Sequence, residues 1–238
     1  MIIKQSIPMK NIRYFIIAAV LCITFTLTAQ QEESYPTRFD DYKTFWHNPP
    51  LSQGKTGTCW CFATVSFLES EVYRKTGKEI KLSEMYIVYW EYVERALAYV
   101  KNRGDIYFAQ GSEATSVIRM MKKYGMVTNA AYPGKLSDKH DHSEMFAEMN
   151  NFLISIKESN NWNLELVSGT IKDILNHHMG EPPAKFKYQG TLYTPLDFTD
   201  KILGLKPIDH FSFMSTNSLP YNQKGELVEA DNWWHCDD

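Results

Sequence analysis

The chain has 238 residues, enough for one large domain or two small ones around a real core. Hydrophobic residues at 44% and charged residues at 22% give the balance of an ordinary globular protein. A net charge of −3 supplies no basic excess to recognise nucleic acid or an anionic membrane, so neither is expected as a partner. The 14 Tyr, 13 Phe and 6 Trp read as large core anchors rather than a stacking surface.

In chain order, the first element is an export signal. Lys4, Lys10 and Arg13 form a positive start, and Phe15 to Leu27 is nearly unbroken apolar sequence ending at Thr28-Ala29-Gln30. That order predicts a signal peptide over 1–29, cleaved after Ala29. The apolar run falls short of the ~20 residues a bilayer span needs, so no stable membrane span is expected after cleavage. Residues 30–50 read as a polar, Pro-punctuated lead. Cleavage leaves Cys59, Cys61 and Cys236, an odd set that leaves at least one thiol free. Cys59 and Cys61 are two apart, which on a helix points them to different sides. Their spacing matches neither a redox pair nor a zinc site, and no metal or cofactor is expected.

A loop of Gly and hydroxyl residues, 51–58, precedes a helical pattern in which Phe62, Val65, Leu68, Val72 and Tyr73 recur at three- and four-residue steps. Gly77 is placed to end that helix. Ser83 and Glu84 open a second helix that runs to about Asn102, and a third spans roughly Ser112 to Tyr124 with Gly125 as its stop. Tyr132-Pro133-Gly134 is a turn. The stretch from about Ser143 to Met179 reads as two helices broken near Asn160-Asn161. Phe186 to Tyr193 forms a short strand pair around Gly190, and Thr194-Pro195-Leu196-Asp197 starts a helix that ends at Gly204. Helices dominate and strands are late and few.

The segment that carries chemistry is Gln53-Gly54-Lys55-Thr56-Gly57-Thr58-Cys59-Trp60-Cys61-Phe62. A cysteine at a helix start sits where backbone N–H groups and the helix dipole stabilise an anion, and the thiolate is the nucleophilic form. A glycine-flanked loop lets backbone approach a substrate carbonyl. Gln53, six residues before Cys59, carries an amide that reaches toward the oxygen of a tetrahedral intermediate, with the Cys59 N–H as second donor.

This arrangement resembles the papain-like cysteine peptidases, in which a Gln and a Gly-rich turn precede a Cys-Trp pair opening the central helix. Such relatives usually carry a disulfide-bonded cysteine three residues before the nucleophile, where this chain has Thr56. That loss is typical of the bleomycin hydrolase and aminopeptidase C branch, and Gly57-Thr58-Cys59-Trp60 looks closest to its exported bacterial members. Leu82-Ser83-Glu84, Tyr124-Gly125-Met126-Val127 and Tyr132-Pro133 follow the family's order. Gln110-Gly111-Ser112 occupies the place of a Gly-Gly pair lining the substrate cleft.

The resemblance implies an α+β papain-like fold, mainly its helical half, over an incomplete domain at 51–238 with a helical insertion at about 141–203. It implies a cysteine-type, aminopeptidase-like peptidase acting on peptide substrates, with Cys59 and Gln53 catalytic and Gly57, Trp60, Gln110 and Gly111 binding substrate. Cys61, where Ser or Ala is common, is expected to be a buried small residue. The branch forms closed oligomers, so a homo-oligomer is implied, in a periplasmic or extracellular setting.

A general-base histidine and an orienting Asn lie about 130–150 residues after the cysteine in papain. His210 falls at that separation, followed by Asn217, Asn222 and Asn232, but in the insertion-bearing branch the pair comes later. We therefore expect the pair beyond residue 238, with His210 as the alternative. His177 and His178 read as helix-end residues, and His47, His140 and His142 as solvated loop residues. The competing function is a non-catalytic module that uses the cleft for peptide binding.

Overall fold

The computed structural model describes residues 44–135 and 140–206, with the backbone of 213–214 and 228–229. The chain divides into Met1–Thr44 and Phe45–Asp238, and all described residues but the first belong to the second unit. The expected export signal, His210 and the three Asn candidates lie outside the described residues.

Helix α1 (Cys59–Thr76) opens where the Gly-rich loop ends and stops at Gly77, whose left-handed backbone (φ 68°) donates its N–H to Tyr73 O. Helix α2 (Glu84–Lys101) is capped by Ser83, whose hydroxyl accepts from the Tyr86 N–H at 3.0 Å and donates to Tyr132 O at 2.6 Å. Helix α3 (Ala114–Tyr124) begins two residues later than expected. Ser112, expected as its start, has its hydroxyl turned back to Glu91 instead.

Helices α4 (Ser143–Glu158) and α5 (Leu164–Met179) flank a break where Asn160 takes a positive φ and the Asn163 side chain caps Leu166 N. Strands β1 (Phe186–Tyr188) and β2 (Thr191–Tyr193) pair antiparallel, Phe186 opposite Tyr193. Their two-residue turn, Gln189-Gly190, has positive φ at both positions, the backbone twist that suits a tight hairpin. Thr194 caps helix α6 (Pro195–Phe198), which widens into a π-helical turn over Thr199–Leu203 before Gly204. Strands β3 (Phe213–Met214) and β4 (Val228–Glu229) form a second antiparallel pair. The helix-rich architecture with few strands is the expected α+β papain-like fold.

Helix α2 is the centre of the core. It packs most extensively on α5 and also against α3 and α1, so it is buried on nearly every side rather than along one stripe. The aromatic residues fill this core as anchors: Trp90 stacks on Tyr124 at 4.0 Å, and Tyr86 and Tyr89 meet Tyr132 edge to face. Burial pushes the Tyr86 phenol up to about 12, and its O–H donates to Tyr124 O. No helix among the described residues is long and apolar enough to cross a membrane.

Ser83 serves α2 and the 132–134 turn at once, so its loss removes a cap and a buried hydrogen bond. Ser83→Ala is expected to destabilise the fold by about 1–3 kcal/mol. In urea unfolding the midpoint falls while the slope is unchanged.

Candidate active site

Cys59 is the first residue of α1 and is exposed; Cys61, one turn-fraction further, is completely buried. The two thiols therefore face different environments, as their spacing predicts. The Cys61 S–H donates to Glu84 O at 3.3 Å. Burial pushes this thiol well up, reinforced by the Glu84 and Glu91 charges, so it is held protonated and inert. Cys61 is the buried small residue the sequence implies.

The N-cap residue of α1, Thr58, makes no side-chain cap. Its hydroxyl is shared with Thr56 Oγ1 at 2.6 Å, and Thr56 Oγ1 also lies 3.0 Å from Gln53 O. A side-chain cap would reach the N–H of Trp60 or Cys61 rather than that of Cys59, and the Cys61 N–H is bonded to Thr58 O at 2.9 Å. Gln53 is anchored in the same loop: its Nε2 donates to Thr56 O at 2.5 Å. A primary amide has two hydrogens, so this bond fixes the amide plane and leaves the second hydrogen to act.

The cleft-wall segment and the nucleophile loop are joined through Gln110. The Gly57 N–H donates to Gln110 Oε1 at 2.8 Å, and the Trp60 indole N–H donates to Gln110 O at 3.1 Å. A Cβ on Gly57 would sit 2.9 Å from Gln110 Cβ, so this approach requires glycine. Trp60 itself is 7% exposed and packs the helix start into the core. Gly111 follows Gln110 in a half-buried stretch, with open space where a Cβ would stand.

The loop's other flank is held by 140–142. Lys55 N–H donates to His140 O at 2.9 Å and His142 N–H to Lys55 O at 3.2 Å, while Lys55 Nζ pairs with Asp141 at 3.5 Å. Gly54 lies at φ 68°, with His140 O 2.3 Å from where its Cβ would be. Beside these residues is a cavity of about 350 Å³ lined by Leu51, Phe62, Glu84, Asn129, Lys135 and His140, among others.

Among the site residues read from the sequence, Cys59, Gln53, Gly57, Trp60 and Gln110 thus gather at one helix start. The buried charges next to them gave no sequence signal. Glu69 is buried between Asn48, Lys81 and the Leu82 N–H, and Lys81 also bridges to Glu84. Burial raises the Glu84 carboxyl, with Lys81 pulling against it. Among the described residues no group of three His, Cys, Asp or Glu is placed to hold a metal.

One histidine reading is corrected. His142, expected to be a solvated loop residue, is 3% exposed, because it stands at the N-cap of α4 where that helix closes over α2. Its Nδ1 meets Tyr92 Oη at 3.2 Å, and its buried Nε2 has no hydrogen-bond partner among the described residues. Burial lowers its pKa to about 4, with His140 and His178 adding repulsion and Asp141 opposing. His140 is half-buried and also lowered, again chiefly by burial. His178 meets Glu148 at 3.2 Å, joining α5 to α4, and His47 and His177 are exposed.

Two outcomes follow. Iodoacetamide on the native chain should modify Cys59 and spare Cys61 until the protein is unfolded, as read by peptide mapping. A depressed histidine costs stability when it must charge. The His142 contribution is complete above pH 6.5, the unfolded value, and is lost as pH falls toward 4, amounting to about 3 kcal/mol. His142→Gln should flatten urea stability between pH 6.5 and 4 relative to wild type.

Comparisons with known proteins agree with this geometry. Residues 35–179 match the family model described as papain family cysteine protease. The chain is 34% identical over 70 residues to digestive cysteine proteinase 1 of Homarus americanus, covering 24% of this chain and 22% of that protein. It is 31% identical over 121 residues to cathepsin J of Rattus norvegicus, covering 49% of this chain and 34% of the relative. These matches span about a quarter to a third of the relatives' lengths. In fold it is similar to PepW of Lactobacillus rhamnosis HN001, with a TM-score of 0.57 and 17% identity over 89% of this chain and 59% of that one. With the family model covering more than half of the chain, this protein belongs to the papain family of cysteine proteases.

Proposed function

We propose that this chain provides the nucleophile and oxyanion hole of an exported, aminopeptidase-like cysteine peptidase. The single observation that carries this reading is the exposed Cys59 as the first residue of α1, directly after the loop that anchors the Gln53 amide. Cys59 thiolate attacks the scissile carbonyl carbon, forming a C–S bond and placing negative charge on the carbonyl oxygen. The Cys59 N–H and the second Gln53 Nε2 hydrogen stabilise that oxygen. Collapse of the intermediate breaks the C–N bond, and the amine leaves with a proton from the general acid. Water then cleaves the resulting thioester and regenerates the thiol.

The proton carrier is a histidine outside the described residues. His210 is one candidate, and a position later in a longer protein is the other. Gly57, Gln110 and Gly111 line the substrate side of the site, and Trp60 contributes by holding the helix start. The insertion at 141–203, the export signal at 1–29 and a homo-oligomer belong to the same proposal. The preference for free peptide N-termini rests on the likeness of Gly57-Thr58-Cys59-Trp60 to the bleomycin hydrolase and aminopeptidase C branch. Peptides are the expected partners, and no cofactor enters the chemistry.

Hydrolysis of an aminoacyl amide and of its N-acetylated counterpart tests this reading. Cys59→Ala should abolish turnover, and Gln53→Ala should lower kcat about 100- to 1,000-fold with a smaller change in KM. Cleavage confined to the free amine supports the aminopeptidase character; equal cleavage overturns it. A protein that carries the histidine and binds peptides but cleaves none is the peptide-binding module instead.

A further inference from the structure

Behind the cleft wall lies a charged cluster that the chemistry above does not use. Glu91 and Arg95 are on adjacent turns of α2, with exposures of 0% and 3%. Their ion pair is short, Arg95 Nε to Glu91 Oε1 at 3.0 Å, and Arg119 of α3 reaches Glu91 Oε2 at 2.9 Å. Taking these charges out of water is costly, and a fold retains such a group only where its bonds hold it. Two of those bonds go to the cleft wall. Arg95 Nη1 donates to Ala109 O at 2.6 Å, and Ser112 Oγ donates to Glu91 Oε1 at 2.9 Å.

The wall is therefore pinned from both sides. Ala109 and Ser112 are bonded backward to α2, whereas Gln110 between them is bonded forward. Its backbone oxygen holds the Trp60 indole, and its side-chain oxygen holds Gly57 N–H. Gly57 is two residues from Cys59 and Trp60 is next to it. Hydrogen bonds thus tie the buried Glu91–Arg95 pair to the 109–112 backbone, and that backbone through Gln110 to Gly57 and Trp60 on either side of Cys59.

We infer that Glu91 and Arg95 are positioning residues for the Cys59 site, acting through Ala109–Ser112 with Gln110 as the link to the nucleophile loop. The inference deepens the peptidase reading and rests on it for its kinetic consequence. Gln110 then sets the angle at which Cys59 and the first-turn N–H groups meet a bound peptide. A small reagent that needs no such alignment is indifferent to it.

The test uses the full chain as wild type, Gln110→Met, Ser112→Ala and Arg95→Lys. Gln110→Met keeps the bulk of the side chain without the acceptor, and Ser112→Ala leaves the Glu91–Arg95 pair intact should Arg95→Lys fail to fold. Cys59 labelling by a peptidyl epoxide and by iodoacetamide is timed, together with deuterium exchange of the peptide spanning 53–60. The expected result for Gln110→Met is exchange in 53–60 faster by roughly three- to tenfold, the loss of one hydrogen bond. Its epoxide rate falls by a similar factor, while iodoacetamide stays within about twofold and the melting temperature holds. Ser112→Ala should move the same readouts in the same direction, by less.

Unchanged exchange in 53–60 in both variants overturns the inference. So does a parallel fall of both labelling rates with melting temperature, which marks a purely structural role. Failure of the underlying reading looks different: wild type itself would show no preference for the epoxide, and the exchange data would still decide whether the link holds the loop.

Discussion

The Trp60 indole N–H donating to Gln110 O is where the core and the site become one structure. Its ring is inside the core, and the residue before it is the exposed nucleophile. Because the indole has one donor in a fixed direction, the bond sets the rotation of α1 about its axis at its first turn. That rotation decides which of two cysteines meets solvent. A helix advances about 100° per residue, so with Trp60 and Cys61 inward, Cys59 is outward.

The side chains of the loop before α1 bond largely within the loop. Thr56 and Thr58 satisfy each other, and Gln53 is held by Thr56 O, so local polar groups close on themselves rather than on the helix start. Gly54 and Gly57 permit the close approaches that fasten this loop on both flanks.

Charge is buried behind this surface to an unusual extent. Glu69, Lys81 and Glu84 form one cluster and Glu91, Arg95 and Arg119 another. Lys81 stands above its usual range although burial works against it, because Glu84 and Glu69 favour its charge. Such pairs contribute little net stability after desolvation, but breaking one is costly. They fix the geometry of the elements they join.

The sequence by itself determined the helices, because each has a local signature: Ser83, Asn163 and Thr194 as caps, and Gly77, Gly125 and Gly204 as stops. It also singled out Cys59 as the proposed nucleophile, since Gln53 and Cys59 lie six residues apart on one short stretch and need no distant partner to be recognised. Only the tertiary structure decided the environment of His142, placed beyond a loop yet sealed under Tyr92 by helix packing. It alone made Gln110 a neighbour of Gly57, 53 residues away, and put Glu91 and Arg95 behind the wall, where on sequence they look like an exposed i,i+4 pair. Periodicity reports which face of a helix is apolar; α2 is enclosed on nearly all sides, so its polar face had to be buried too, and only the packing of α3 and α5 shows that.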